Sequence, residues 1–381
     1  MRWLALLLVG FNAALPQADT VRVAFGSCAD ANQPDHPIWN GLYQAQPDAL
    51  LMIGDNVYAD TPDFRSNPSR QGLQTEYGKL EAAPSFQRLR KSIPIYATWD
   101  DHDYGLNDGG KEFELKDVSQ QVFFDFWRVS VDRPERQTPG VYSERWLDKA
   151  GLQIQILLLD TRYFRSALTV DAQDARCPIR NVGHSLAEDA TILGSAQWQW
   201  LKESLKKPAD VRVIASSIQV ISDQHCWERW GAFPKERERL FDTIARSGAR
   251  NVFIVSGDRH LGEISKLPSS GDFGLDYPLY DVTFESLSAR SGFGEGEGNS
   301  YRVGYDNVRV SNFGVIEIDT VEKKGPFLSL RDQGGPNTLW RERTSPLITI
   351  SRVQVQPTTS KRLMSGGPAM SPANLAPAAL K

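Results

Sequence analysis

Acidic and imidazole side chains recur in this chain where apolar runs end. Gly54-Asp55-Asn56 follows the run 49–53, Asp100-Asp101-His102-Asp103 follows 93–99, and Gly257-Asp258-Arg259-His260 follows 251–255. Carboxylates and imidazoles brought together can hold cations. Hydrolysis of a phosphoester needs cations, which neutralise the phosphoryl oxygens and make hydroxide from water near neutral pH.

Asp55 directly follows its run, where one carboxylate can bridge two cations. Three carboxylates around His102 repel one another unless a cation lies among them. Asp101 is therefore expected on a metal, with His102 near the leaving oxygen as general acid or phosphate contact. Asp258 and His260 stand two apart, so persisting strand geometry would put both on one face and Arg259 on the other. Cys28, after the run 21–25, offers a thiolate, and Tyr58, three residues beyond Asp55, a phenolate. That pair of donors suits a ferric ion better than magnesium or calcium. Arg162 presents a planar fork that fits either substrate phosphate or a structural pair with Asp160. His225 is expected beside the metals or the substrate pocket, or as plain structure. His36 and His184 read as structural or exposed.

These groups need rigid elements behind them. Six apolar segments have strand length and composition: 21–25, 49–53, 93–99, 152–159, 211–221 and 251–255. Helical patterns lie between them, at 38–44, 75–92, 120–129, 194–206 with Ser195 as its cap, and 234–247, which opens on Pro234. Strands alternating with helices predict an α/β fold with a largely parallel or mixed sheet. In such sheets ligands bind beyond the carboxyl ends of the strands, where the acidic and imidazole groups stand. Shorter strands are expected at 281–284, 308–310, 313–318 and 348–355, packed on the main sheet and not in a separate domain.

Composition sets outer limits. The 381 residues carry a net charge of −4, with no basic stripe to suggest a dedicated nucleic-acid or anionic-membrane surface. Met1-Arg2, the apolar run 3–15 and the small residues Ala13, Ala14 and Ala18 read as an export signal over 1–18. The run is shorter than the ~20 residues of a membrane span, so a periplasmic or extracellular destination is expected. The main domain is expected over 20–355 and a disordered tail over 356–381. Of three cysteines, Cys177 and Cys226 are expected to pair, leaving Cys28.

The strings Gly26-Ser27-Cys28, Gly54-Asp55-Asn56-Val57-Tyr58-Ala59-Asp60, Trp99-Asp100-Asp101-His102-Asp103 and Gly257-Asp258-Arg259-His260 resemble, in order and spacing, the motifs of the alkaline phosphatase D family. The segment 224–237 and Ser311-Asn312-Phe313-Gly314 are similar to that family too, and the resemblance covers 21–320. It implies a calcineurin-like metallophosphoesterase fold of two facing mixed β-sheets flanked by helices. It also implies iron (Fe3+) held through Cys28, Asp55 and Tyr58 with calcium nearby, another divalent pair being the alternative. Phosphomonoesters and phosphodiesters, lipid and polymer diesters included, are the substrates it suggests. The chain departs from the wider superfamily, with Gly-Ser-Cys for Asp-x-His, Asp-Asp-His for Gly-Asn-His, and Asp258 in place of a histidine. Asn107 is left as an alternative to Asp101 for one ligand role. A phospholipase on this fold would need an apolar lip, for which 123–127 and 227–233 are the candidates, and a nuclease a basic groove. A non-catalytic metal-binding protein is the remaining alternative.

Overall fold

The computed structural model describes residues 20–170, 182–269, 273–284, 286–290, 294, 296–304, 308–319, 341–345 and 348–351. The expected signal at 1–18, Cys177 and the expected tail at 356–381 lie outside the described residues.

The strands, in chain order, are β1 (Thr20–Gly26), β2 (Ala49–Ile53), β3 (Ile95–Thr98), β4 (Ser143–Lys149), β5 (Leu152–Leu158), β6 (Thr169–Val170), β7 (Val182–Gly183), β8 (Val211–Ala215), β9 (Val252–Ser256), β10 (Gly262–Leu267), β11 (Leu279–Phe284), β12 (Gly314–Asp319), β13 (Arg341–Ser345) and β14 (Ile348–Ser351). They form two six-stranded sheets, ordered β13-β14-β12-β1-β2-β3 and β10-β11-β9-β8-β5-β4, and a small β6-β7 ribbon. Both large sheets are mixed. β1, β2 and β3 run parallel while β12 is antiparallel to β1. In the second sheet β5, β8, β9 and β11 are parallel, and β4 and β10 are antiparallel edges.

Neighbouring residues of the second sheet point to opposite sides, as strand geometry requires. Ile156, Val213 and Val255 join Phe25, Leu51 and Val23 of the first sheet in one apolar cluster. Leu157, Ile214 and Ile254 instead meet Trp198, Leu201, Leu240 and Ile244, which come from helices Gly194–Leu205 and Pro234–Ser247. Strands covered on both faces have no polar side, which is why they read as unbroken apolar runs. The two facing mixed sheets flanked by helices match the expected fold.

Several elements differ from the sequence reading. The helix expected over 75–92 is two, Arg70–Ala82 and Pro84–Ser92, because Pro84 cannot continue a helix but can begin one. Ser195 is not the cap of its helix: Gly194 N–H donates to Thr191 Oγ1 at 2.9 Å instead. Residues 308–310 form no strand, and Val308 makes a single bridge to Gly262. β4 and β10 were not anticipated, being polar edge strands whose pattern is set by what lies across the sheet. The run 211–221 leaves the sheet at Ala215, yet Ile218, Val220 and Ile221 stay buried.

Candidate metal centre

The carboxyl ends of β1, β2, β3 and β9 meet at one edge of the sandwich, and sharp turns carry the chain away there. Cys28, Asp55, Asp258 and His260 all have positive φ, at 57°, 47°, 78° and 53°. Residues with a Cβ adopt that conformation at a cost, and such strain gathers at functional sites. The turns are bolted together through their backbones. Ala29 N–H donates to Asp55 C=O at 2.8 Å, Ala289 N–H to Cys28 C=O at 3.0 Å, and Ala59 N–H to His102 C=O at 3.0 Å. Gly54, at φ 113°, lets Asp100 approach: a Cβ there would lie 2.6 Å from Asp100 Cβ.

Three overlapping groups of ligand atoms result, each with all its members within 4.8 Å of one another. The first is Cys28, Asp55 and His260, the second Asp55, Asp101 and His102, and the third Asp55, Asp100, Asp101 and Asp258. Asp55 belongs to all three, the position a bridging carboxylate needs. Asp258 and His260 both arrive, but for a different reason from the one expected. The backbone turns through left-handed conformations at both residues, so extended geometry does not persist.

The histidines are oriented by their second nitrogens. His260 Nδ1 donates to Arg290 C=O at 2.6 Å, which leaves Nε2 as a lone-pair donor, and Tyr58 Oη lies 3.0 Å from it. That tautomer suits a metal ligand. His102 Nδ1 lies 2.7 Å from Asp60 Oδ1, and the Tyr58 ring is tilted over the imidazole at 4.4 Å. Burial opposes the imidazolium, but Asp101, Asp55 and Asp60 outweigh it and push His102 up to about 11. Tyr58 is raised well above its ordinary value by burial, Cys28 and Asp55, so only a strong cation would make it a phenolate.

The carboxylates behave as a crowded cluster. Burial lifts Asp55 well above the usual carboxylate range; His102 opposes the rise, while Asp101, Asp100 and Asp103 reinforce it. Buried Oδ2 of Asp100 and Oδ1 of Asp101 meet no hydrogen-bond donor. Buried carboxylate oxygens without donors are costly unless a cation compensates them. Together with thiol, imidazole and carboxylate donors converging on one carboxylate, they fit a metal centre.

Two expected site residues stand elsewhere. Asn107 is exposed and donates to Asp108 at 3.0 Å; the helix Asp101–Tyr104 ends at Gly105 and carries it outward. The buried amide beside the cluster is Asn56, whose Nδ2 donates to Thr98 C=O at 2.8 Å while its Oδ1 meets no donor. Arg162 is fully buried and ion-paired, with Nε 2.6 Å from Asp100 Oδ1 and Nη1 2.5 Å from Glu228 Oε2. Its fork is spent on these carboxylates, so a phosphate contact is replaced by a structural role. The guanidinium does not pair with Asp160, which accepts from Trp99 Nε1 and from the backbone N–H groups of Val141, Arg162 and Tyr163.

His225 is buried and accepts from Trp227 N–H at 3.2 Å. Burial, Arg259 and Arg229 drive it well below its ordinary value, and it belongs to none of the three ligand groups. Cys226 is disulfide-bonded, whereas Cys28 keeps its thiol; the expected partner Cys177 lies outside the described residues. Asp60, Asp100, Asn56 and Glu228 were not singled out by sequence reasoning. The first three lie inside quoted motifs, so their strings were the available signal. Glu228 had none.

Comparison with known proteins places the chain in a family. Alkaline phosphatase D of Bacillus subtilis (strain 168) is 22% identical over 310 residues, 71% of this chain and 52% of that protein. The chain thus spans about half the length of that curated relative. A solved structure described as "Structure of PhoD" superposes with TM-score 0.60 at 18% identity, covering 79% of this chain and 64% of that one. A second, "GAP50 the anchor in the inner membrane complex of Plasmodium", reaches TM-score 0.44 at 12% identity, over 80% and 82%, too distant to bear on the argument. The family model of PhoD-like phosphatase matches residues 23–325. The chain belongs to the PhoD-like phosphatase family.

Proposed function

We propose that this chain is a metal-dependent phosphoesterase. The observation that carries the reading is the sharing of Asp55 among three ligand groups, beside a histidine held by its own carboxylate. Cys28, Asp55, Tyr58 and His260 would hold one cation, and Asp55, Asp100, Asp101 and Asp258 a second. The soft and anionic donors of the first set favour iron; the oxygen-only second set favours calcium or a similar hard ion. When bound, the metals supply positive charge to the phosphoryl oxygens and acidify water.

The protein groups do the rest. His102, protonated and fixed through Nδ1 by Asp60, can hand the Nε2 proton to the leaving oxygen. Tyr58 packs on its ring and limits its rotation. The acidic cluster repels a phosphate until its charge is compensated, so substrate binding depends on loading. Arg162 holds Asp100 in place from beneath and does not reach substrate.

Phosphomonoesters and phosphodiesters are the proposed substrates. Of the stretches that could form a phospholipase lip, Phe123, Phe124, Trp230 and Phe233 are buried in the core, and Phe126, Trp127 and Trp227 are half-buried. An exported location rests on residues 1–18. No helix among the described residues is long and apolar enough to cross a membrane.

The test is hydrolysis of p-nitrophenyl phosphate and bis(p-nitrophenyl) phosphate at alkaline pH, with and without a strong chelator. Chelator-sensitive release supports the reading, and the ratio of rates assigns the ester class. No release from metal-loaded protein rejects it.

A further inference from the structure

Behind the acidic cluster lies a buried ion network whose centre is far from it in sequence. Glu228, with its side chain 1% exposed, faces Arg162 and Arg165, both 0% exposed. Its Oε2 accepts from Arg162 Nη1 at 2.5 Å, and its Oε1 lies 2.8 Å from Arg165 Nε as an ion pair without hydrogen-bond alignment. From these two arginines, separate arms run to two adjacent candidate ligands.

The first arm is direct. Arg162 donates from Nε to Asp100 Oδ1 at 2.6 Å, and Ser217 Oγ donates to the same oxygen at 2.6 Å. That leaves Asp100 Oδ2 as the oxygen without a donor. The second arm passes through the backbone. Arg165 Nη2 donates to Asp108 C=O, and Asp108 N–H donates to Asp101 Oδ2 at 2.7 Å. Here again one oxygen is tied, and Oδ1 is the one without a donor. Each arm thus immobilises one oxygen and presents the other.

We propose that Glu228 is a positioning residue that, through Arg162 and Arg165, sets the orientation of both Asp100 and Asp101 for metal binding. The proposal rests on the metal-centre reading above. Its physical basis is that guanidinium groups are planar and pre-organised, so fixing one edge of the fork fixes the other. A buried network also tolerates removal of one charge poorly, since its partners are then left uncompensated. The segment on either side of the glutamate is anchored. Trp230 N–H donates to Gln219 C=O at 2.9 Å, and Arg229 Nη1 to Trp227 C=O at 2.8 Å, while Cys226 two residues before is disulfide-bonded.

The experiment titrates manganese(II), followed by electron paramagnetic resonance, into chelator-treated full-length protein. Wild type, Glu228→Gln, Glu228→Asp and a control, Glu236→Gln, are compared. Glu236 is also a buried carboxylate, and it accepts from Ile192 N–H and Trp198 Nε1, outside the proposed metal groups. Partners just outside a metal's ligands typically govern 10–100-fold in affinity. Glu228→Gln should weaken manganese binding by about that factor, and Glu228→Asp, which keeps the charge, should restore part of it. Glu236→Gln should lose melting temperature with its affinity unchanged. Wild-type affinity in folded Glu228→Gln overturns the proposal, as does equal weakening in the control. Should Glu228→Gln fail to fold, Arg165→Lys decides, because it keeps charge but loses the fork to Asp108; unchanged affinity there overturns the proposal. Wild type that binds no manganese would instead reject the metal-centre reading itself.

Discussion

His102 and Asp60, forty-two residues apart, are joined Nδ1 to Oδ1 at 2.7 Å, with Asp60 buried and the imidazole partly exposed. The carboxylate fixes the proton on Nδ1, orients the ring and helps keep it charged. A histidine meant to release a proton from Nε2 needs all three. Asp60→Asn should therefore lower kcat about 100-fold, the lower end of what general acid–base catalysis typically contributes, with little change in KM. Steady-state kinetics on p-nitrophenyl phosphate measures this, and an unchanged kcat would remove Asp60 from the mechanism.

Gly54→Ala places a Cβ 2.6 Å from Asp100 Cβ at a φ of 113°. Both neighbours are buried, so relief requires backbone movement. A loss of about 2 kcal/mol or more is expected from the conformation and overlap together, with weakened metal binding because Asp55 follows directly. Thermal unfolding and metal titration read the two effects. A variant as stable as wild type would show that the turn can relax.

Chelation should lower the melting temperature, because the cluster loses the charge that compensates its carboxylates. A ligand at a hundred times its Kd stabilises by about 2.7 kcal/mol. Calorimetry with and without chelator should show a clear drop in wild type and a smaller one in Asp55→Asn, which has lost the shared ligand. Equal drops in both would argue that the metal binds elsewhere.

Glu135 lies away from the cluster and gives a pH prediction. Burial raises it, but hydrogen bonds from Arg133, its own backbone and Arg145, with the charge of Arg145, bring it down to about 2. A depressed carboxylate stabilises the fold above its unfolded value, here 4.5, and that contribution fades as pH falls towards 2. Glu135→Gln should cost up to about 1 kcal/mol at pH 7 and roughly half of that or less at pH 3. Melting curves at both values test this; a constant difference would mean the loss is not electrostatic.

Reduction of the Cys226 disulfide should destabilise the protein by about 2–4 kcal/mol. Melting temperature with and without reductant measures it. A mass under non-reducing conditions with all thiols free would contradict the bond, and peptide mapping would identify its partner, proposed to be Cys177.

The sequence by itself determined the scaffold and most of the candidate cluster at its edge. Parallel strands buried on both faces must be apolar throughout, so β2, β5, β8 and β9 were legible as runs, and the polar groups at their ends marked the functional edge of the sheets. Cys28, Asp55, Asp101, His102, Asp258 and His260 were legible for that reason, since each follows within a few residues of a strand. Tertiary structure decided the rest. Asn107 and Asn56 are both plausible amides by spacing, and only the short helix after β3, which carries one outward, separates them. Arg162 fitted either phosphate or Asp160 by sequence, and the fold instead closes Asp100 and Glu228 on it. Those contacts join residues 62 and 66 positions apart, and no local pattern records them. Periodicity reports what a segment buries, whereas the partner of a buried charge depends on which distant turn the fold lays against it.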